Sequence, residues 1–88
     1  MADKLYVYRH GWDTDSLGSE TVKLFSSEQM ARNCLEKDIR EYFECSLEDL
    51  IERYEGNTDA IVTDDYVEVP QGKDVIYYII EKVALDAA

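Results

Sequence analysis

"PQGKDVIYYIIEKV", Pro70 to Val83, is the stretch that decides the fold. In its second half Val75, Tyr77 and Ile79 alternate with Ile76, Tyr78 and Ile80, so an extended chain here is apolar on both faces. Such a strand belongs in the middle of a sheet, where both sides are at least partly covered. Gly72 supplies the positive φ that a tight turn requires, and Tyr66–Val69 and Asp74–Val83 therefore read as a hairpin around "PQGK".

A central strand needs a neighbour on its other side, and the N-terminal region offers one. In "KLYVYRH", Lys4 to His10, Leu5, Val7 and Arg9 alternate with Tyr6, Tyr8 and His10, a β-branched and aromatic pattern suited to a strand. "GWDTDSLGS", Gly11 to Ser19, gathers turn-forming Gly, Asp and Ser and reads as a loop. A second strand, Glu20–Phe25, completes a hairpin.

Helix signals follow at "FSSEQM", Phe25 to Met30. Ser26 is the expected N-cap, Gln29 its capping-box partner, and Phe25 with Met30 a hydrophobic staple. At 100° per residue, Met30, Ala31, Cys34, Leu35, Ile39 and Tyr42 share one face, with Gln29, Asn33, Glu36, Arg40 and Glu44 opposite. Asp38 falls beside the apolar face and needs a partner if buried. Ser46 and Asp49 mark a second N-cap, Leu47, Leu50, Ile51 and Tyr54 follow helical spacing, and Gly56 supplies the stop. "NTDAIVTDD", Asn57 to Asp65, carries no decisive pattern.

The expected fold is thus a single α+β domain over residues 1–88: a four-stranded antiparallel sheet, ββααββ, in the order 2-1-4-3, with two helices packed on one face. Two helices leave the other sheet face open. Tyr6, Tyr8 and Tyr78, or the residues alternating with them, are expected to form an apolar patch there, which suggests a partner or a dimer, the chain itself being a monomer or a homodimer.

Composition excludes several classes. Hydrophobic residues make up 45% of the chain, enough for a folded core despite a formal charge of −11. The longest uncharged apolar run, Val75–Ile80, is far short of a membrane span, and Met1–Tyr8 shows no secretory pattern, so a cytoplasmic location is expected. Cys34 and Cys45 fit no metal or redox spacing and read as reduced thiols, with a bridge between them as the alternative.

No constellation spells catalysis or a cofactor. "DTDSLG" imitates the start of a calcium loop through Asp13, Asp15 and Gly18, but Leu17 stands where a ligand belongs and Leu24 where the bidentate Glu belongs. A hydrogen-bonded turn is expected instead, and no metal. His10, the single histidine, has no nucleophile at a telling spacing; Trp12, the single tryptophan, reads as a lid on the core or an interface anchor. Phosphate-cradling glycine clusters are absent, and nine Lys and Arg scattered among twenty acids disfavour direct nucleic-acid binding.

The distribution of acid remains. Glu36–Glu68 holds twelve Asp and Glu against Lys37, Arg40 and Arg53, a net of −9, whereas Met1–Leu35 and Val69–Ala88 each net −1. Glu41, Glu44, Glu48, Glu52 and Glu55 recur every three or four residues, spacings at which like charges destabilise a helix by about 0.2–0.5 kcal/mol per pair. Together with Asp49, Asp59, Asp64 and Asp65 they form a candidate surface for a basic partner, with Tyr42, Tyr54 and Tyr66 as aromatic anchors.

In size, acidity and lack of an enzyme motif, including "EYFECSLEDLIERYE", Glu41 to Glu55, the chain resembles the small phage-encoded inhibitors of bacterial defence, anti-CRISPR proteins among them. The resemblance implies a non-enzymatic inhibitor in the host bacterial cytoplasm. Its partner is then a CRISPR nuclease or other nucleic-acid-binding protein, whose basic surface it occupies as a DNA mimic. The alternative is a small dimeric structural or regulatory adaptor whose acidic charge serves solubility only.

Overall fold

The computed structural model describes residues 4–13 and 18–84. Seven elements follow in order: β1 (Lys4–Asp13), β2 (Gly18–Phe25), α1 (Glu28–Phe43), α2 (Leu47–Arg53), β3 (Ile61–Val62), β4 (Tyr66–Gln71) and β5 (Asp74–Ala84). The strands form one antiparallel sheet in the order β2-β1-β5-β4-β3. β5 lies at its centre, as its two apolar faces require. The four anticipated strands keep their anticipated order, but the sheet has five strands and the order is ββααβββ.

The added strand, β3, is two residues long and pairs Ile61 with Glu68 and Val62 with Val67. Two residues are too few to show a period in the sequence. A side-chain-supported turn pins them against β4: the Tyr66 amide donates to Thr63 Oγ1 at 2.9 Å, and the Thr63 amide to the Tyr66 carbonyl at 2.9 Å.

β1 runs to Asp13 rather than His10, and β2 begins at Gly18. Gly11 permits this extension, because a Cβ there would sit 2.0 Å from the Ser19 carbonyl oxygen on the paired strand. Asp15 and Leu17, which decide the resemblance to a calcium loop, lie outside the described residues.

Ser27, not Ser26, caps α1, its Oγ accepting from the Met30 amide at 3.4 Å. The expected capping box does not form. Gln29 donates its amide forward to Asn33 at 2.9 Å instead of reaching back to the cap. Ser46 caps α2 as anticipated, accepting from the Asp49 amide at 3.1 Å. Gly56 (φ 80°) lies in the turn that follows α2, and Gly72 (φ 67°) in the two-residue connection between Gln71 and Asp74.

Both helices cover the sheet face that carries Tyr8, Val67, Val69, Ile76 and Tyr78, against which Leu35, Ile39, Leu47 and Leu50 are buried. The expected inner face of α1 is narrower than its sequence stripe. Ala31, Leu35 and Ile39 are buried, whereas Met30 and Tyr42, near its two ends, are exposed.

By strand alternation, the opposite face carries Leu5, Val7 and Arg9, with Val22 and Leu24 beside them and Val75, Tyr77 and Ile79 in the centre. No element covers it among the described residues. The open face thus belongs to the residues alternating with Tyr6, Tyr8 and Tyr78. A polar stripe crosses it: Arg9 bridges Glu20 at 3.6 Å and also Glu81, and the Tyr77 hydroxyl donates to Glu20 at 2.6 Å.

Candidate functional site

α2 orders part of the acidic segment in a way its dipole favours. Glu48 and Asp49 occupy the first turn, near the positive helix end, and Arg53 the last. Glu41 lies in the last turn of α1, and Glu44 follows as its C-cap with φ 58° and ψ 33°, its amide donating to the Arg40 carbonyl at 3.0 Å. That left-handed conformation costs a non-glycine residue about 1–2 kcal/mol, and a carboxylate at a helix C-terminus is unfavourable as well.

Glu41, Glu44, Glu48, Asp49, Glu52, Glu55, Asp59, Asp64 and Asp65 are all exposed. Two are paired: Lys37 approaches Glu41 at 4.0 Å, and Arg32 holds Asp64 at 3.3 Å. The other seven have no ion-pair partner among the described residues. Asp64 and Asp65 stand apart from the acids around α2. Arg32 and Glu28 of the first half of α1 lie beside them, at the end of the helix away from Glu41.

The three candidate anchors take three different positions. Tyr54 packs half-buried against the core, and Tyr66, paired with Ile79, projects from the open sheet face away from the helices. Tyr42 is 53% exposed and lies among the acids at the end of α1. Of the three, it alone shares the helix side with an exposed ring.

Tyr42 also forms one wall of a cleft of about 360 Å³ between the end of α1 and the sheet. β1 contributes His10, Gly11 and Trp12; β5 contributes Ile76 and Tyr78; Gln71 and Asp74 close the hairpin side. A second depression continues from it past Asp38 and Glu41. The His10 imidazole is stacked between neighbours, its centroid 5.0 Å from that of Tyr8 and 5.9 Å from that of Tyr78. Trp12, 41% exposed, lies at the cleft rather than lidding the core.

Beneath the stack, the Tyr8 hydroxyl donates to Asp38 Oδ2 at 2.7 Å, which gives Asp38 the partner its position demands. The same oxygen is 3.9 Å from His10 Nε2, an atom that is buried without a hydrogen-bond partner. Burial, and then the Asp38 carboxylate, push the Tyr8 phenol up. Burial, then Asp38 and Tyr42, push Tyr78 up to about 12. Both phenols therefore stay neutral through the physiological range.

No protein family, curated protein or solved structure matches this chain. Among the described residues no group of three His, Cys, Asp or Glu is placed to hold a metal ion, and no helix is long and apolar enough to cross a membrane. Cys34 and Cys45 are free thiols, half-buried against the core.

The sequence does not mark the cleft as a unit, although His10, Trp12, Tyr42 and Tyr78 each stand out in it singly. The signal for it lies in alternation. Tyr8, His10 and Trp12 share a strand face, and the central strand presents Ile80, Tyr78 and Ile76 opposite them. What strand alternation does not give is the register that places the end of α1 over this end of the sheet.

Proposed function

We propose that this protein is a non-enzymatic inhibitor that lays its acidic helical layer on a basic, nucleic-acid-binding surface of another protein, as its resemblance to anti-CRISPR proteins implies. The observation that carries the reading is the state of the mid-chain acids. Glu44, Glu48, Asp49, Glu52, Glu55, Asp59 and Asp65 are exposed and without ion-pair partners among the described residues. Unpaired carboxylates keep their full potential for an incoming cationic surface, and that potential raises the rate of encounter. Glu44 adds to the argument, since it holds a charge in a strained, dipole-opposed position. In a guide-dependent nuclease the matching surface is the Lys- and Arg-lined channel that holds the duplex or reads its flanking motif.

The test is association with guide-loaded CRISPR nucleases across a range of salt. The triple variant Glu48→Gln, Glu52→Gln, Glu55→Gln is expected to lower the association rate about tenfold and flatten its salt dependence. An unchanged rate and slope count against the reading.

A second reading, a small dimeric adaptor, is favoured by the open sheet face, where Val22, Leu24, Ile61 and Val83 are all at least 40% exposed. Two copies packed through this face would turn their acidic helices outward. Light scattering separates the readings, because a stable dimer without affinity for basic proteins supports the adaptor.

A further inference from the structure

The cleft between α1 and the sheet combines aromatic surface with carboxylates and has no Lys or Arg in its lining. His10, Trp12, Tyr42 and Tyr78 supply the rings. Asp38, Glu41 and Asp74 supply carboxylates, and no Lys or Arg lines either depression. Of these acids, Glu41 has only a 4.0 Å approach from Lys37, and Asp74 has no ion pair among the described residues. Aromatic faces attract cations through the negative potential above the ring, and this attraction strengthens where water is excluded.

A guanidinium fits this combination better than an ammonium. It is flat, so it stacks on a ring while its fork of N–H groups reaches carboxylates in the same plane. It is also more weakly hydrated, so entering the cleft demands less of it. A volume of about 360 Å³ is in the range of small-ligand sites, with room for the head of one side chain and its stem.

We infer that this cleft receives an arginine side chain of the partner protein, its guanidinium stacked on Trp12 or Tyr42 and paired with Asp74. The inference rests on the reading of a basic protein partner and names the contact that anchors it. Exposed ion pairs alone contribute little net affinity, whereas an arginine buried among aromatic rings is the kind of contact that concentrates binding energy.

Trp12 is the single tryptophan, so its fluorescence reports on the cleft directly. The experiment titrates the full chain with a short uncharged peptide bearing one arginine, and in parallel with the same peptide carrying citrulline, the neutral isostere. The arginine peptide is expected to change Trp12 emission saturably and the citrulline peptide to bind at least about tenfold more weakly. Tyr42→Ala, at an exposed ring, and Asp74→Asn are each expected to weaken the arginine peptide about tenfold. Equal response to both peptides, or arginine binding untouched by both substitutions, overturns the inference. Glu48→Gln, Glu52→Gln, Glu55→Gln is expected to leave peptide binding unchanged. A peptide that fails to bind while the intact protein still blocks a basic partner overturns the cleft alone. A peptide that binds while partner association ignores the helix substitutions supports the cleft and overturns the acidic layer.

Discussion

The Tyr8 hydroxyl and the Asp38 carboxylate meet at 2.7 Å across the interface between sheet and helix, Tyr8 from the floor of the core and Asp38 from the flank of α1. Tyr8 is fully buried, so its hydroxyl has no access to water and Asp38 is its one acceptor among the described residues. Tyr8→Phe leaves the carboxylate without its donor and is expected to destabilise the fold by about 1.5–3 kcal/mol. Asp38→Leu strands the hydroxyl and is expected to cost a similar amount. The double variant, with neither polar group, is expected to recover much of the loss. Urea unfolding of the four proteins measures the coupling; strictly additive losses would show that the bond contributes nothing specific.

Glu44 offers the opposite outcome, a substitution that stabilises. Its φ of 58° is one that glycine adopts without penalty, and as C-cap it carries a negative charge at the negative end of α1. Glu44→Gly is expected to raise stability by about 1 kcal/mol, moving the thermal midpoint upward by several degrees for a domain of this size. A lowered midpoint would mean that the side chain makes a stabilising contact that outweighs the strain.

The central strand, the two helices and the Ser46 cap were legible in the sequence because each rests on local chemistry: apolar alternation, helical spacing, a hydroxyl before a first turn. β3 was not, since Ile61 and Val62 gain strand geometry only from β4 beside them. The Ser26–Ser27 pair shows the limit of cap signals, as two adjacent hydroxyls qualify and packing decides between them. Among the candidate site residues, charge was readable and placement was not. Tyr42, Tyr54 and Tyr66 look alike in sequence, yet the sheet separates Tyr66 from the other two and the core claims Tyr54. Strand parity would have shown the first of these facts once Val67 was assigned to the core.

At Gly11, β2 leaves no room for a side chain on β1. An alanine Cβ would meet the Ser19 carbonyl at 2.0 Å and the Glu20 Cα at 2.9 Å, both backbone atoms that move only if the strands separate. Gly11→Ala is expected to cost about 1–3 kcal/mol, typical of overpacking. Hydrogen exchange locates the damage, with amides of β2 losing protection while those of β4 keep theirs. Uniform loss across the sheet, or none, contradicts a local clash.

The buried phenols set the alkaline limit of the fold. Tyr78 is pushed up to about 12 by burial and by the nearby Asp38 and Tyr42, whereas an unfolded tyrosine ionises near 10. Above pH ~10 the unfolded chain therefore releases protons that the folded chain retains, and proton release by the unfolded state favours it. Stability should be constant with respect to these groups below pH ~10 and fall from there toward pH ~12, with Tyr8, raised by burial and its bond to Asp38, acting in the same direction. Phenolate absorbance followed together with circular dichroism checks this. Part of the tyrosine signal is expected to appear only as the secondary structure is lost, and Tyr8→Phe should reduce that late fraction. All seven tyrosines titrating together near pH 10, with the fold intact, would contradict the burial of Tyr8 and Tyr78.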